Sequence, residues 1–389
     1  MLVVAASVRR RRITLAALVA VLPGCVGAQV PASTPAGPVV AIAAPRRPIP
    51  PERESENVTR FSFIVYGDTR GRRDGVEVQY EHQMVVDEML RAIASADSGP
   101  SPIRFVLQTG DAVVNGRDAR QWNVSFVSLI NRITTDAGLP YFLAPGNHDV
   151  TGSPTVESEG RRAGLANYLQ AMGQLIPPDG ATRRLTGYPT YAFGYGNTFV
   201  LALDSNIADD SVQFRWASGQ LAGLDRRRYT NIVAFFHHPV FSSGPHGGST
   251  IEEPTAILRE KWMPLFRRTG VRLIATGHDH LFEHWVERFR DSTGAPRRMD
   301  QLVTGGGGAP LYSFSGVPNL RSYAAAGRRD SVRLQQLVRP SAKRGEDPYH
   351  FVIVHVDGNR LSVEVRGVDW GIGFAPYLSN RAVLQDSTP

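Results

Sequence analysis

The chain has 389 residues, 42% of them hydrophobic, which excludes a globally disordered polymer and leaves room for one large domain or two ordinary ones. Its formal charge of +7 includes four arginines within residues 1–28, a stretch without acids, so the remainder carries only +3 (7 − 4) and a nucleic-acid partner gains little support. The single cysteine, Cys25, excludes an intrachain disulfide and a thiolate metal cluster.

Along the chain, "RRRR" at 9–12 followed by the apolar "ITLAALVAVL" at 13–22 has the layout of an export signal. The apolar run is short of the about 20 residues that a membrane span needs. Residues 1–28 are therefore expected to be a signal peptide, with the mature protein periplasmic or extracellular. Two readings of its end stay open. "LPGC" resembles a lipobox, which would make Cys25 a lipid-bearing N-terminus and the one expected membrane contact; "VGA" before Gln29 suits ordinary cleavage. Residues 29–59, rich in Pro and Ala and without period, are expected to be a poorly ordered tether.

From Phe61 onward short apolar runs recur, each closing on a polar cluster: "FSFIVYGD", "IRFVLQTGD", "PYFLAPGNHD", "FVLALDS", "NIVAFFHH" and "VRLIATGHDH". Helical patterns at 81–96 and 256–270 lie between them, and "YHFVIVHVDGNRLSVEVRGVD" reads as a hairpin turning at "DGN". Buried strands alternating with helices predict an α/β fold, with one domain over 60–375 and a tail at 376–389.

Open α/β sheets bind ligands beyond the carboxyl ends of their strands. Five of these runs place metal-type side chains there: Asp68, Asp111, Asn147 with His148, His237 with His238, and His278 with His280. A lone "GD" after a strand is usually a turn and a lone buried His usually core. Five such placements in succession are poorly explained that way. Two carboxylates approaching to about 4 Å would repel by about 4 kcal/mol at an effective dielectric of about 20, so a cation is expected between them. Mixed oxygen and imidazole ligands suit Zn, Mn or Fe.

In their order, Gly67-Asp68, Gly110-Asp111 through Gly116, Gly146 to Asp149, His237-His238-Pro239 and Gly277 to His280 resemble the signature of the calcineurin-like metallophosphoesterases, including purple acid phosphatases. The glycine-rich "VTGGGGAPLY" at 303–312 is similar to a segment of secreted members. The resemblance implies two mixed β-sheets packed as a sandwich and flanked by helices. It implies metal-dependent hydrolysis of a small phosphoric ester by a metal-activated hydroxide at a dinuclear centre of Fe, Mn or Zn. Asp111 would bridge, Asp68 and His280 would hold the first metal, and Asn147, His237 and His278 the second. His148 would serve the leaving group, with Asp149 orienting its ring, and His238 would be structural.

One departure stands out. The family's supplementary ligands for the first metal are replaced by Arg70 and Val114, so that site is expected to be weak. Arg70 is then expected to clamp a phosphate oxygen, or else to pair with Asp74. His246 is open between a pocket residue and an exposed loop residue, while His82, His284, His350 and His355 are expected to be structural, and "GRRDG" at 71–75 is a basic loop that would attract anions. Two competing functions remain: a non-catalytic metal-binding surface protein on the same scaffold, and a nuclease or phosphodiesterase. The missing ligands at 70 and 114 favour the first, which intact "GNHD" and "GHDH" oppose; the charge of +3 argues against a nuclease.

Overall fold

Two β-sheets face each other across an aromatic seam. Phe105 and Phe142, on one sheet, pack against Phe193 on the other, with ring centroids 5.4 and 4.1 Å apart. Phe61 meets Tyr195 edge-on at 4.9 Å. Such pairs add about 0.5–1.5 kcal/mol each beyond their burial. A computed structural model of the chain describes residues 37–71, 76–150, 158–247, 251–369 and 373–376. The expected signal at 1–28, Cys25, most of the 71–75 loop including Asp74, and the tail beyond 376 lie outside the described residues.

The first sheet is built from β1 (Arg60–Tyr66), β2 (Ile103–Gln108), β3 (Tyr141–Leu143), β11 (Tyr349–Asp357), β12 (Arg360–Asp369) and β13 (Gly373–Pro376), in the order β13-β12-β11-β1-β2-β3. The second holds β4 (Tyr191–Tyr195), β5 (Thr198–Ala202), β6 (Asn231–Phe235), β7 (Leu273–Thr276), β8 (Phe282–Arg290), β9 (Pro296–Thr304) and β10 (Arg333–Val338), in the order β10-β8-β9-β7-β6-β5-β4. Both sheets are mixed, and each contains a parallel trio: β1, β2 and β3 in one, β5, β6 and β7 in the other. The trios matter for function because parallel strands deliver the loops after them to one edge.

Local sequence explains these elements. The trios are runs of Val, Ile, Leu and Phe that are buried almost throughout, as strands covered on both faces require. Helix α1 (Tyr80–Ala96) buries Val85, Met89 and Ile93, spaced four residues apart, on the side that meets β11. The β11–β12 hairpin turns at Gly358, whose φ of 58° lies in the left-handed region where glycine is favoured. Among the described residues no helix is long and apolar enough to cross a membrane.

The expected tether needs correction where it is described. Residues 37–59 form an ordered strap, with Val39 and Ile42 inside the main core. The Val40 N–H donates to the side chain of Asn123 and the Ala43 N–H to that of Asn131, each at under 3 Å. Further on, Glu52 takes a two-pronged contact from Arg183 and a hydrogen bond from Tyr229. A Pro-rich chain has few local hydrogen bonds of its own, so these distant partners supply the order.

Candidate metal centre

Five strand ends converge where the two parallel trios meet. The loops after β1 and β2 bring Asp68 and Asp111, that after β3 brings Asn147 and His148, and those after β6 and β7 bring His237, His278 and His280. Three of these residues, Asp68, Asp111 and His278, adopt left-handed backbone angles with φ of 59°, 54° and 68°. For side chains other than glycine that conformation costs about 1–2 kcal/mol per residue. Strain concentrated on three would-be ligands marks a functional site. Close packing of the loops adds a second constraint. A Cβ at Gly146 would collide with the Asp111 carboxylate, and one at Gly277 with that of Asp68.

The three histidines share one design. His237 donates Nδ1–H to the Thr109 carbonyl at 3.1 Å, His278 donates Nε2–H to Glu252 at 2.8 Å, and His280 donates Nδ1–H to the Pro310 carbonyl at 2.9 Å. Each ring is thereby fixed in the tautomer that turns its other nitrogen, carrying a lone pair, inward. Around His237 Nε2 lie Asn147 Oδ1 at 2.9 Å, His278 Nδ1 at 3.0 Å and Asp111 Oδ1 at 3.4 Å. Four acceptor atoms thus crowd together without a proton to share. Burial holds His237 and His280 neutral, pushing each down to about 3, so imidazolium does not supply the missing positive charge. The donor set fits a divalent ion such as Zn, Mn or Fe at this position.

The position expected for the other metal is different. Asp68 accepts the His278 N–H with both carboxylate oxygens, at 3.1 and 2.9 Å, and lies 3.6 Å from His280 Nε2. Burial, then repulsion from Asp111, raises its pKa well above the ordinary range. Asp111 goes the other way. Burial opposes its ionisation, yet the surrounding charges and the His148 N–H hold its pKa low, and with His237 neutral the standing cation beside it is Arg70. Arg70 Nε sits 3.3 Å from Asp111 Oδ2, and its Nη2 sits 3.4 Å from His280 Nε2. Among the described residues its acidic partner is Asp111.

Asp149 corrects another expectation. Its carboxylate accepts the backbone N–H groups of Ala112 and Val113, at 2.8 and 3.2 Å, and of Gly146 at 2.8 Å. It ties the loops after β2 and β3 together and does not orient His148. That task falls to the Val114 carbonyl, which accepts His148 Nδ1–H at 2.7 Å. His238 exchanges hydrogen bonds with Ser205, and His284 bonds Asp300, as structural histidines do.

Two neighbours of the centre escape sequence reasoning. Glu252 bonds both His278 and His246, each at 2.8 Å, which holds its carboxyl below the usual range and brings His246 into the cluster. Tyr312 stacks on His280 with centroids 4.2 Å apart. The glycine-rich segment at 303–312 was the only signal for Tyr312; nothing distinguishes Glu252 from an ordinary acid before a helix.

Comparison with known proteins agrees with this architecture. Residues 61–282 match the family model described as calcineurin-like phosphoesterase. The chain is 25% identical over 280 residues to the serine/threonine-protein phosphatase CPPED1 of Bos taurus, covering 67% of this chain and 79% of that one. It is 24% identical over 155 residues to probable purple acid phosphatase 20 of Arabidopsis thaliana, covering 39% and 34%. Among solved structures, a purple acid phosphatase from yellow lupin (Lupinus luteus) seeds shares the fold, with a TM-score of 0.58, 18% identity and coverage of 80% of this chain. This chain spans about half (52%) of that enzyme's length.

Proposed function

The chain belongs to the calcineurin-like phosphoesterase family, and from that premise we propose that it uses the centre at Asp111, Asn147, His237 and His278 to hydrolyse a small phosphoric ester. The class of reaction follows from the family, as metal-dependent phosphoric ester hydrolysis. The observation that supports the site assignment is the group of four facing atoms, His237 Nε2 with Asn147 Oδ1, His278 Nδ1 and Asp111 Oδ1 around it, whose lone pairs a bound cation would satisfy together.

A metal ion bound there would supply Lewis acidity toward a phosphoryl oxygen and a more acidic water. The remaining work belongs to the chain. Thr109 and Glu252 hold the rings of His237 and His278 in the ligating tautomer. The His148 N–H fixes Asp111 Oδ1 at 2.9 Å, so the histidine's backbone and ring address the same centre. With Nδ1–H given to Val114, Nε2 is the ring atom of His148 left for the leaving oxygen, and it delivers a proton there when the ring carries both protons. The Arg70 guanidinium, enclosed beside Asp111, offers further N–H donors to a phosphate oxygen. The basic, apolar N-terminal pattern at 9–22 supports export as the setting for this activity.

The test is hydrolysis of a chromogenic phosphomonoester and a chromogenic phosphodiester by the chain loaded with Mn, Zn or Fe, beside Asp111→Asn and His148→Ala. Metal-dependent turnover that both substitutions abolish is the expected result. Undiminished turnover in Asp111→Asn would refute the assignment.

A further inference from the structure

We propose that Arg70 is a built-in cation that replaces the first metal, so that the centre takes one metal ion per chain, at Asp111, Asn147, His237 and His278. The inference rests on the metal-dependent reading above and goes beyond it in number and in the role of one side chain. The resemblance implied an ion gripped by Asp68, Asp111 and His280. Those same groups face a guanidinium. Arg70 Nε stands 3.3 Å from Asp111 Oδ2, and Arg70 Nη2 donates toward His280 Nε2 at 3.4 Å. The lone pair of His280 that would bind a metal is thus directed at an N–H donor.

Chemistry makes the two occupants exclusive. A guanidinium cannot deprotonate at any physiological pH, so it never becomes a ligand. A divalent ion between Asp68, Asp111 and His280 would sit within contact distance of a fixed positive charge, in a buried place where screening is weak. The side chain of Arg70 is only 18% exposed and that of Asp111 2%, so withdrawal into solvent would leave Asp68 and Asp111 facing each other uncompensated. No replacement ligand comes from position 114, where the side chain is aliphatic and the carbonyl is engaged by His148.

The far side of the position is also closed. His280 is pinned by the Pro310 carbonyl at 2.9 Å and by the Tyr312 ring stacked on it, which sets its Nε2 toward Arg70 and Asp68. Asp68 spends both oxygens on the His278 N–H and shapes the loop that carries a ligand of the retained site.

The experiment is metal counting by mass spectrometry on the full chain and its Arg70→His and Arg70→Gln variants, each equilibrated with excess Mn and then desalted, with electron paramagnetic resonance of the same samples. The expected result is one Mn per chain with the spectrum of magnetically isolated ions in the wild type, and more than one in Arg70→Gln, which removes the excluding charge. Arg70→His, which removes the charge and supplies an imidazole, is expected to hold two ions with an exchange-coupled spectrum. Two ions in the wild type would overturn the inference and leave the phosphoesterase reading intact. An Arg70→His chain that stays at one ion would overturn the exclusion by Arg70. No bound ion in the wild type would overturn both readings.

Discussion

His148 donates its Nδ1 proton to the carbonyl of Val114 across 2.7 Å, and this bond to the backbone sets the ring. A ring held by the backbone keeps its direction when neighbouring side chains are changed. His148→Ala is therefore expected to lower kcat by roughly 10²–10⁴-fold, the usual worth of a positioned acid, with metal content unchanged. Steady-state kinetics paired with metal analysis checks this. An unchanged kcat would remove His148 from the reaction.

Asp149 makes a different prediction because it serves the loops. Removing its carboxylate in Asp149→Ala leaves the buried N–H groups of Ala112, Val113 and Gly146 without partners. An unsatisfied buried donor costs about 1–3 kcal/mol, so the loss should reach at least about 3 kcal/mol in denaturant unfolding. Asp149→Asn keeps a carbonyl oxygen and is expected to lose less. A variant as stable as the wild type would contradict the tying role.

The strap over 37–59 should respond to acid. Although burial opposes it, the contacts from Arg183 and Tyr229 hold the Glu52 carboxyl below its ordinary value. A depressed carboxyl contributes stability that is present above its unfolded pKa, near 4.3, and is lost as pH falls through the folded value. Melting temperatures of wild type and Glu52→Gln should differ at pH 7 and converge as pH falls below the unfolded value of about 4.3 and through the folded one. A constant gap down to acid pH would show that the carboxylate is not the anchor.

Beyond the end of β5, Asp204 pairs with Arg161, and the two side chains are 0% and 1% exposed. Cutting one member of a buried pair strands the other, at a cost of about 3–5 kcal/mol. Asp204→Ala is expected to lose stability in that range, and combining it with Arg161→Met to recover part of it. Simple addition of the two single losses in chemical denaturation would exclude the coupling.

Much of this arrangement is legible in the sequence because each chemical residue stands directly after an apolar strand, where a parallel trio must deliver it. The hairpin turn at "DGN" and helix α1 are legible for similar local reasons. The β8–β9 hairpin is harder to read. Its first strand, "FEHWVERFR", buries Glu283 and Glu287 against Ser243 and Arg267, outside the hairpin, and His284 against Asp300 on the facing strand. The strap's order, the bonds of Glu252 to two histidines, and the pairing of Arg70 with Asp111 have the same origin. Each depends on a contact that only the finished fold creates. Asp149 shows the reverse error, since the resemblance implied a contact with His148 that the turn at 146–149 does not make.

The central claim is that lone pairs gathered on Asp111, Asn147, His237 and His278 form a metal site that drives ester hydrolysis. Its most direct test is titration of Mn or Zn into the metal-stripped chain, with heat of binding and turnover followed together, alongside His237→Ala. Turnover should rise from background in proportion to bound metal, and His237→Ala should lose both signals. Full hydrolysis by the stripped chain, or unaltered metal affinity in His237→Ala, would contradict the account.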